Sequence, residues 1–326
     1  MRGSAARLVG RAILIAMGSA TLLPLRPAAV IAAGPVVVAS KIDTEGTLLG
    51  NMILAVLASH GIPVRNRLQL GPTNIVRAAI LAGQIDIYPE YTGNGALFFH
   101  METNPVWKSR RRGYAEIARL DREQNHLVWL TPAPANNTWV IAVRRDLARR
   151  GHLATMSDFA RYVDAGGALK LAASAEFVES PAALPAFEKS YGFRLRDRQL
   201  LTLSGGNTSA TLRAAADGMS GVDAAMAYGT DGAISALGLV ALDDNKGAQI
   251  VYAPAPVIRQ RVLARYPQIP ALLDPVFAGL TLATLQRLNA AIAVDGEDAA
   301  TVAAGYLTSQ QGLRSRQELN PRRPSP

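Results

Sequence analysis

The sequence predicts an α/β protein of two lobes, each a mainly parallel sheet flanked by helices. Three observations carry that expectation. Short β-branched runs alternate with amphipathic segments over brief links, which implies parallel pairing through right-handed crossovers. The alternation runs from "PVVVAS" and then restarts at "NNTWVIAV". A chain of 326 residues, 49% hydrophobic and 18% charged, is long enough and apolar enough for two cores.

The first 33 residues precede the fold. Arg2, Arg7 and Arg11 form a basic stretch, and "AILIAMGSATLLPL" is an apolar run too short to span a bilayer. Small residues follow in "AAVIAAGP", with Val30 and Ala32 at the spacing a signal peptidase accepts. A signal peptide over 1–33 is expected, with an N-terminal membrane anchor as the competing reading. The chain has no cysteine, so there is no lipid-attachment site at the cleavage point. A freely soluble, exported, periplasmic protein is the expectation.

"PVVVAS" reads as a buried strand. From Thr44 a helix places Leu48, Leu49, Met52, Ile53, Val56 and Leu57 on one face, and Gly61 ends it. "NRLQL" is a second strand, "TNIVRAAILAG" a short helix and "QIDIY" a third strand. Pro89 removes a donor there, so the strand is expected to stop and leave Tyr91, Gly93 and Gly95 on a turn. After "NNTWVIAV" come helix "SDFARYVDAG", strand "ALKLAAS", helix "AALPAFEKSYG", strand "RQLLTL", helix "TSATLRAAADG" and strand "AAMAYGT". "LGLVALDD" and "AQIVYAPAPVI" read as strands leading out of this second unit. The last eighty or so residues are mostly helical, in "VIRQRVLARYP", "LATLQRLNAAIAV" and "DAATVAAGYLTSQ", and cover the first sheet. The expected organisation is 34–138 and 244–326 for the first lobe and 139–243 for the second, joined by two crossings.

Charge and motif content exclude several functions. The formal charge of +9 is concentrated at the ends, in Arg2, Arg7, Arg11, Arg26, Arg314, Arg316, Arg322 and Arg323. That distribution argues against a nucleic-acid partner. His60, His100, His126 and His152 are scattered and never reach metal-ligand spacing. Neither a G-x-S-x-G elbow nor a phosphate-binding P-loop occurs. "SGGNTSATLR" resembles an anion-cradling loop but reads better as a plain strand–helix turn. Asp86 and Glu90 could form a carboxylate pair for acid–base work, yet no nucleophile accompanies them. No cofactor, metal or catalytic residue is expected.

Aromatic placement is the positive signal. Only 6% of residues are aromatic, yet Tyr88 and Tyr91 follow the third strand and Trp139 begins the first crossing. Tyr228 ends a strand of the second unit and Tyr252 lies on the return crossing. Any single ring is ordinarily a core residue; four at corresponding ends of different segments point to a ligand cleft, since open α/β sheets bind ligands beyond the carboxyl ends of their strands. Rings around a pocket without a catalytic group suit a quaternary ammonium cation, each ring face contributing about 0.5–2 kcal/mol. Lys41 and the amides near Thr44 sit at a helix N-terminus, which suits a carboxylate on the same ligand. Lys41 fits a solvated loop position equally well.

Four segments, "SKIDTEGTLLGNMI", "DIYPEYTGNG", "NNTWVIAV" and "AYGTDGAI", resemble in order the marker segments of glycine betaine/choline-type substrate-binding proteins of ABC importers, in their periplasmic osmoprotectant branch. The resemblance spans about Ser40 to Val257. It implies a two-lobed, type II-like periplasmic binding protein fold, monomeric, that closes on a small quaternary ammonium ligand and docks on a membrane permease. It places an aromatic cage on Tyr91, Trp139, Tyr228 and Tyr252, with tryptophan where many relatives have tyrosine. It places a ligand-carboxylate contact on Lys41 and a polar contact on Asn94. The implied ligands are glycine betaine, choline, carnitine or proline betaine. One departure stands out. Many relatives carry F-x-x-R-P-D-G after "LAAS"; here the text is "FVESPAAL", with Ser180 in place of the arginine and Ala182 in place of the aspartate. An enzyme or ligand sensor using the same cleft is the alternative.

Overall fold

The computed structural model describes residues 34–203 and 208–319. The leader over 1–33 and the first four residues of "SGGNTSATLR" lie outside the described residues.

The chain runs β1 (Val36–Lys41), α1 (Thr44–Ser59), β2 (Val64–Gly71), α2 (Thr73–Leu81), β3 (Ile87–Tyr91), α3 (Gly95–Phe98), α4 (Arg110–Asn125) and β4 (Leu127–Trp129). It continues with β5 (Trp139–Arg144), α5 (Arg145–Arg150), α6 (Met156–Asp164), β6 (Leu171–Ser174), α7 (Ala175–Glu179) and α8 (Leu184–Tyr191). Next come β7 (Leu200–Leu203), α9 (Thr208–Ala216), β8 (Ala224–Tyr228), α10 (Ala233–Ala236) and β9 (Leu239–Ala241). It ends with β10 (Pro254–Arg259), α11 (Gln260–Arg265), α12 (Ile269–Ala278), α13 (Leu282–Ala293) and α14 (Ala299–Leu319).

These strands form two five-stranded sheets, ordered β2-β1-β3-β10-β4 and β7-β6-β8-β5-β9. Each sheet is mixed by the same rule. Three neighbouring strands are parallel, and the fourth runs antiparallel to both of its neighbours. In both sheets that reversed strand is the one the chain enters on arriving from the other lobe. Parallel neighbours within a lobe need a helical crossover, whereas a strand arriving from outside does not.

Helices cover both faces of each sheet, giving four apolar clusters. On the first sheet, Val36, Val38 and Ile87 pack under Leu48, Met52, Ile53, Phe277 and Leu285. The opposite face joins Tyr88, Trp107, Ile117 and Trp129. The second sheet packs Phe159, Phe177 and Phe187 against Ile141 and Met226 on one face, and Leu212 and Ile234 against Ala142 and Ala225 on the other. β2 is an edge strand that exposes Arg65, Asn66 and Arg67, and such charges discourage edge-to-edge pairing.

Four local expectations are corrected. β3 does not stop at Pro89; its register with β10 is continuous from Ile87–Ile258 to Tyr91–Pro254, with Pro89 opposite Pro256. The Arg259 N–H donates to the Asp86 carbonyl and the Thr92 N–H to the Ala253 carbonyl, so this ladder's hydrogen bonds fall on the even-numbered residues of β3 and the missing N–H of Pro89 removes none of them. β9, within "LGLVALDD", stays in the second sheet, antiparallel to β5. "AQIVY" is not a strand, since β10 begins only at Pro254, and "VIR" belongs to β10 rather than to α11. Finally, α4 and β4 were not anticipated. Ser109 caps α4, whose buried positions are only Gly113, Ile117, Leu120 and Asp121, and a polar helix of that kind carries little apolar signal.

Candidate functional site

Strand ends position the rings. Trp139 opens β5 and Tyr228 closes β8, and the antiparallel register sets them directly opposite one another. Cross-strand neighbours on one face are in side-chain contact, and here the rings stack with centroids 4.3 Å apart and planes at 28°. Phe177 of α7 meets Trp139 edge-on at 5.4 Å. Ser174 caps α7, accepting the Phe177 N–H at 3.1 Å, and so fixes that helix beside the ring pair.

Tyr252 lies on the return crossing, and the outward crossing holds it. Its N–H donates to Asn136 Oδ1 at 2.8 Å, and its carbonyl accepts the Asn137 N–H at 2.9 Å. Thr138 Oγ1 donates to the Ile250 carbonyl at 2.7 Å, which ties the two crossings together. The loop after β3 closes against the same ring. Any Cβ at Gly93 would stand 2.7 Å from Tyr252 Cδ1, so only glycine permits this approach. Thr92 adds hydrogen bonds to Val251 and Ala253.

Tyr91, Lys41 and Asn94 meet around one buried carboxylate. Glu90 is fully buried, and its Oε1 accepts from Lys41 Nζ at 2.5 Å, Asn94 Nδ2 at 2.7 Å and the Tyr91 N–H at 2.7 Å. Tyr88 Oη donates to its other oxygen at 3.2 Å. Lys41 Nζ also stands 4.5 Å from the centroid of the Tyr91 ring. Lys41 is therefore a buried, paired ammonium and not a solvated loop residue. Asp86 and Glu90 do not form a pair: Asp86 Oδ2 accepts the Val37 N–H at 3.0 Å while Glu90 holds Lys41. Four residues along a strand separate them by roughly 13 Å.

A second buried carboxyl stands behind Tyr91. Tyr91 Oη donates to Glu45 Oε1 at 2.9 Å, and Asn289 Nδ2 of α13 donates to Glu45 Oε2 at 2.7 Å. Burial pushes the Glu45 carboxyl up to about 7, against hydrogen bonds from Thr230, Asn289 and Tyr91 that favour its charged form. Burial likewise pushes the Tyr252 hydroxyl up to about 12, with Glu176 and Glu90 adding to it. The Tyr228 hydroxyl is raised by burial first and then by Glu176 and Asp231. Ser180 ends α7 and is partly exposed.

The rings thus fall into two groups. Trp139 and Tyr228 stand on the second sheet with Phe177 of α7 against them, while Lys41 ends β1, Tyr91 ends β3, Asn94 follows β3 and Tyr252 lies on the return crossing. Glu176 acts on a ring of each group. Two surface cavities, about 520 Å³ beside Thr44, Asn51 and Gln69 and about 250 Å³ beside Val56, His60 and Leu307, have none of Tyr91, Trp139, Tyr228 and Tyr252 in their walls. Among the described residues no cluster of three or more His, Cys, Asp or Glu could hold a metal. Sequence reasoning missed Glu45, Phe177, Glu176 and Asn289. Glu45 sits inside a quoted marker segment, whereas Asn289 lies 244 positions from its partner and carries no local signal.

Residues 34–309 match the family described as "Substrate binding domain of ABC-type glycine betaine transport system". The "Glycine betaine-binding protein YehZ" of Escherichia coli strain K12 is 58% identical over 293 residues, covering 90% of this chain and 94% of that protein. A "Glycine-betaine-binding protein" of Pseudomonas aeruginosa is 29% identical over 276 residues, covering 83% of this chain and 86% of that protein. The solved structure of apo YehZ from E. coli superposes with a TM-score of 0.77 at 59% identity, covering 85% of this chain and 99% of that one. The "glycine betaine/carnitine/choline ABC transporter" structure shares the fold at 21% identity, with a TM-score of 0.73 over 85% of this chain and 98% of that chain.

Proposed function

The chain belongs to the substrate-binding family of ABC-type glycine betaine transport systems, and from that premise we propose that it captures a quaternary ammonium osmoprotectant between Tyr91, Trp139, Tyr228 and Tyr252 and hands it to a membrane permease. Proteins of this family are periplasmic, bind small betaine ligands and deliver them to permeases. The observation that carries the cage is the stacked pair Trp139–Tyr228, set at paired strand ends and facing the crossing that holds Tyr252. Ring faces there offer a trimethylammonium group cation–π contact without a competing catalytic group.

Lys41 and Asn94 serve as polar contacts through the Glu90 network, which sets their positions. Lobe boundaries at 138/139 and 243/244 follow the two crossings, and residues 1–33 act as the export leader. The protein works as a monomer, without catalysis, cofactor or nucleic acid. The candidate ligands are glycine betaine, choline, carnitine and proline betaine. A thermal-shift screen with these four tests the proposal: a binder gains stability with ligand by mass action, and no shift with any of them at millimolar concentration overturns it. An enzyme or sensor built on the same cleft would instead show turnover or a partner other than a permease.

A further inference from the structure

The lobes are tied by more than the two crossings. α13 belongs to the first lobe, where Leu285 and Leu288 join the apolar cluster on that sheet. Its other side lies against residues 229–232, which follow β8 of the second sheet. Asn289 is 6% exposed, and its Nδ2 donates both to Glu45 Oε2 at 2.7 Å and to the Thr230 carbonyl at 2.9 Å. One turn earlier, Gln286 Nε2 donates to the Gly229 carbonyl at 2.8 Å. The Gly229 N–H in turn donates to the Thr138 carbonyl at 2.9 Å, which pins the loop at the root of β5. No slack is left. A Cβ at Gly232 would stand 2.4 Å from the Gln286 carbonyl oxygen, and one at Gly229 would stand 2.6 Å from that of Asn136.

This bracket joins two of the rings. Glu45 Oε1 accepts the Tyr91 hydroxyl at 2.9 Å, while Thr230 lies two residues beyond Tyr228. The Tyr228 N–H donates to Asp231 Oδ2 at 2.9 Å, so ring and loop move together. Asn289 Oδ1 is buried and has no hydrogen-bond partner. A buried acceptor left unpaired costs stability, so this amide is oriented by what its nitrogen holds on either side. Resting on the cage reading above, we infer that Asn289, supported by Gln286, is a positioning residue that holds the rings of the two lobes in register before a ligand arrives. Tyr91 and Tyr228 can share one ammonium group only when their lobes face each other at a fixed spacing. Lobes that sample other orientations are competent for part of the time, and apparent affinity falls by that fraction. The bracket supplies preorganisation without touching the ligand.

The test pairs a distance with an affinity. The chain has no native cysteine, so spin labels at Arg65→Cys and Arg149→Cys, one exposed site in each lobe, report the interlobe distance by pulsed electron resonance. Asn289→Leu and Gln286→Met keep side-chain size and remove the donors. Gln286→Met leaves Glu45 untouched and carries the test if Asn289→Leu does not fold. The ligand-free wild type should give one narrow distance, and both variants a broader distribution that narrows again at saturating ligand. Calorimetric titration with choline and glycine betaine should show binding weakened about two- to tenfold, the worth of one or two buried hydrogen bonds. Narrow distances in both variants, or broad distances with unchanged affinity, overturn the positioning role. Trp139→Ala should weaken both ligands while the distance stays narrow. Unchanged binding in Trp139→Ala and in Tyr228→Ala overturns the cage instead, whatever the distances show, and the positioning role falls with it.

Discussion

Tyr91 donates its hydroxyl to Glu45 Oε1 at 2.9 Å, joining the last residue of β3 to the first turn of α1. The other oxygen of Glu45 accepts Asn289 Nδ2 from α13, and the same amide nitrogen donates to the Thr230 carbonyl at 2.9 Å, just after β8. Gln286 Nε2, one turn earlier on α13, donates to the Gly229 carbonyl at 2.8 Å. The backbones are close here: a Cβ at Gly232 would stand 2.1 Å from the Ala290 nitrogen. One buried carboxyl therefore connects Tyr91, two helices over the first sheet and, through Asn289, a loop of the second lobe.

That carboxyl makes stability depend on pH. Its folded value, about 7, lies above the unfolded value near 4.5, so between those limits the folded state binds more protons than the unfolded one. Stability contributed by the proton is complete below the unfolded value and is lost as pH rises through the folded value. The expected loss by pH 8 is on the order of 2–4 kcal/mol, from a shift of a few units at about 1.4 kcal/mol each. Urea denaturation of the wild type and of Glu45→Gln at pH 5.5 and pH 8 checks this. The wild type should weaken toward pH 8 markedly more than the variant, and equal slopes refute the assignment to Glu45.

The stacked pair should dominate ligand affinity. Trp139→Ala removes a ring that touches both Tyr228 and Phe177, and Tyr228→Ala removes its partner. Each should weaken a trimethylammonium ligand about tenfold or more, given about 1–2 kcal/mol per desolvated ring face. Calorimetric titration with the best ligand from the screen decides it.

Lys41 should matter to the fold as well as to the ligand. Lys41→Met leaves the fully buried Glu90 carboxylate with only neutral donors from Tyr88, Tyr91 and Asn94. Removing one partner of a buried ion pair typically costs about 3–5 kcal/mol. Denaturation of the ligand-free protein is the measurement. Stability within about 1 kcal/mol of wild type would mean that Glu90 takes up a proton in place of the lysine or that the pair opens to water.

Ser180 gives a charge-gain experiment. Glycine betaine should bind the wild type weakly, in the high micromolar to millimolar range, equivalent to roughly −4 to −6 kcal/mol. Ser180→Arg introduces a guanidinium at the end of α7 and should raise betaine affinity about five- to fiftyfold through a charge-assisted contact. Choline should hold or weaken. Glu176 and Glu179 on the same helix compete for the new side chain, so pairing with Glu176→Gln should enlarge the gain. Equal gains for both ligands would show that Ser180 does not face a carboxylate.

Periodicity and placement of rings were legible in the residues themselves. The strand–helix alternation, its restart after Asn136 and the helical C-terminal region follow from patterns a few residues long, because side-chain direction repeats every two or 3.6 positions. Tyr91, Trp139 and Tyr228 stand at strand ends, and Tyr252 on a crossing, as the pattern marks. Other features were not legible. α4 carries little apolar pattern because charge covers most of its surface, and β3 continues past Pro89 because that position falls between the rungs it shares with β10, a register no local window shows. The role of Lys41 turned on Glu90, whose burial no local window reports. Pairings such as Glu45 with Asn289 join atoms 244 residues apart. Their strength, and the shifted titration that comes with them, arises from the low dielectric that packing creates. Local pattern sets which elements form; which charges are neutralised, and which remain to meet a ligand, depends on the solvent that distant elements exclude.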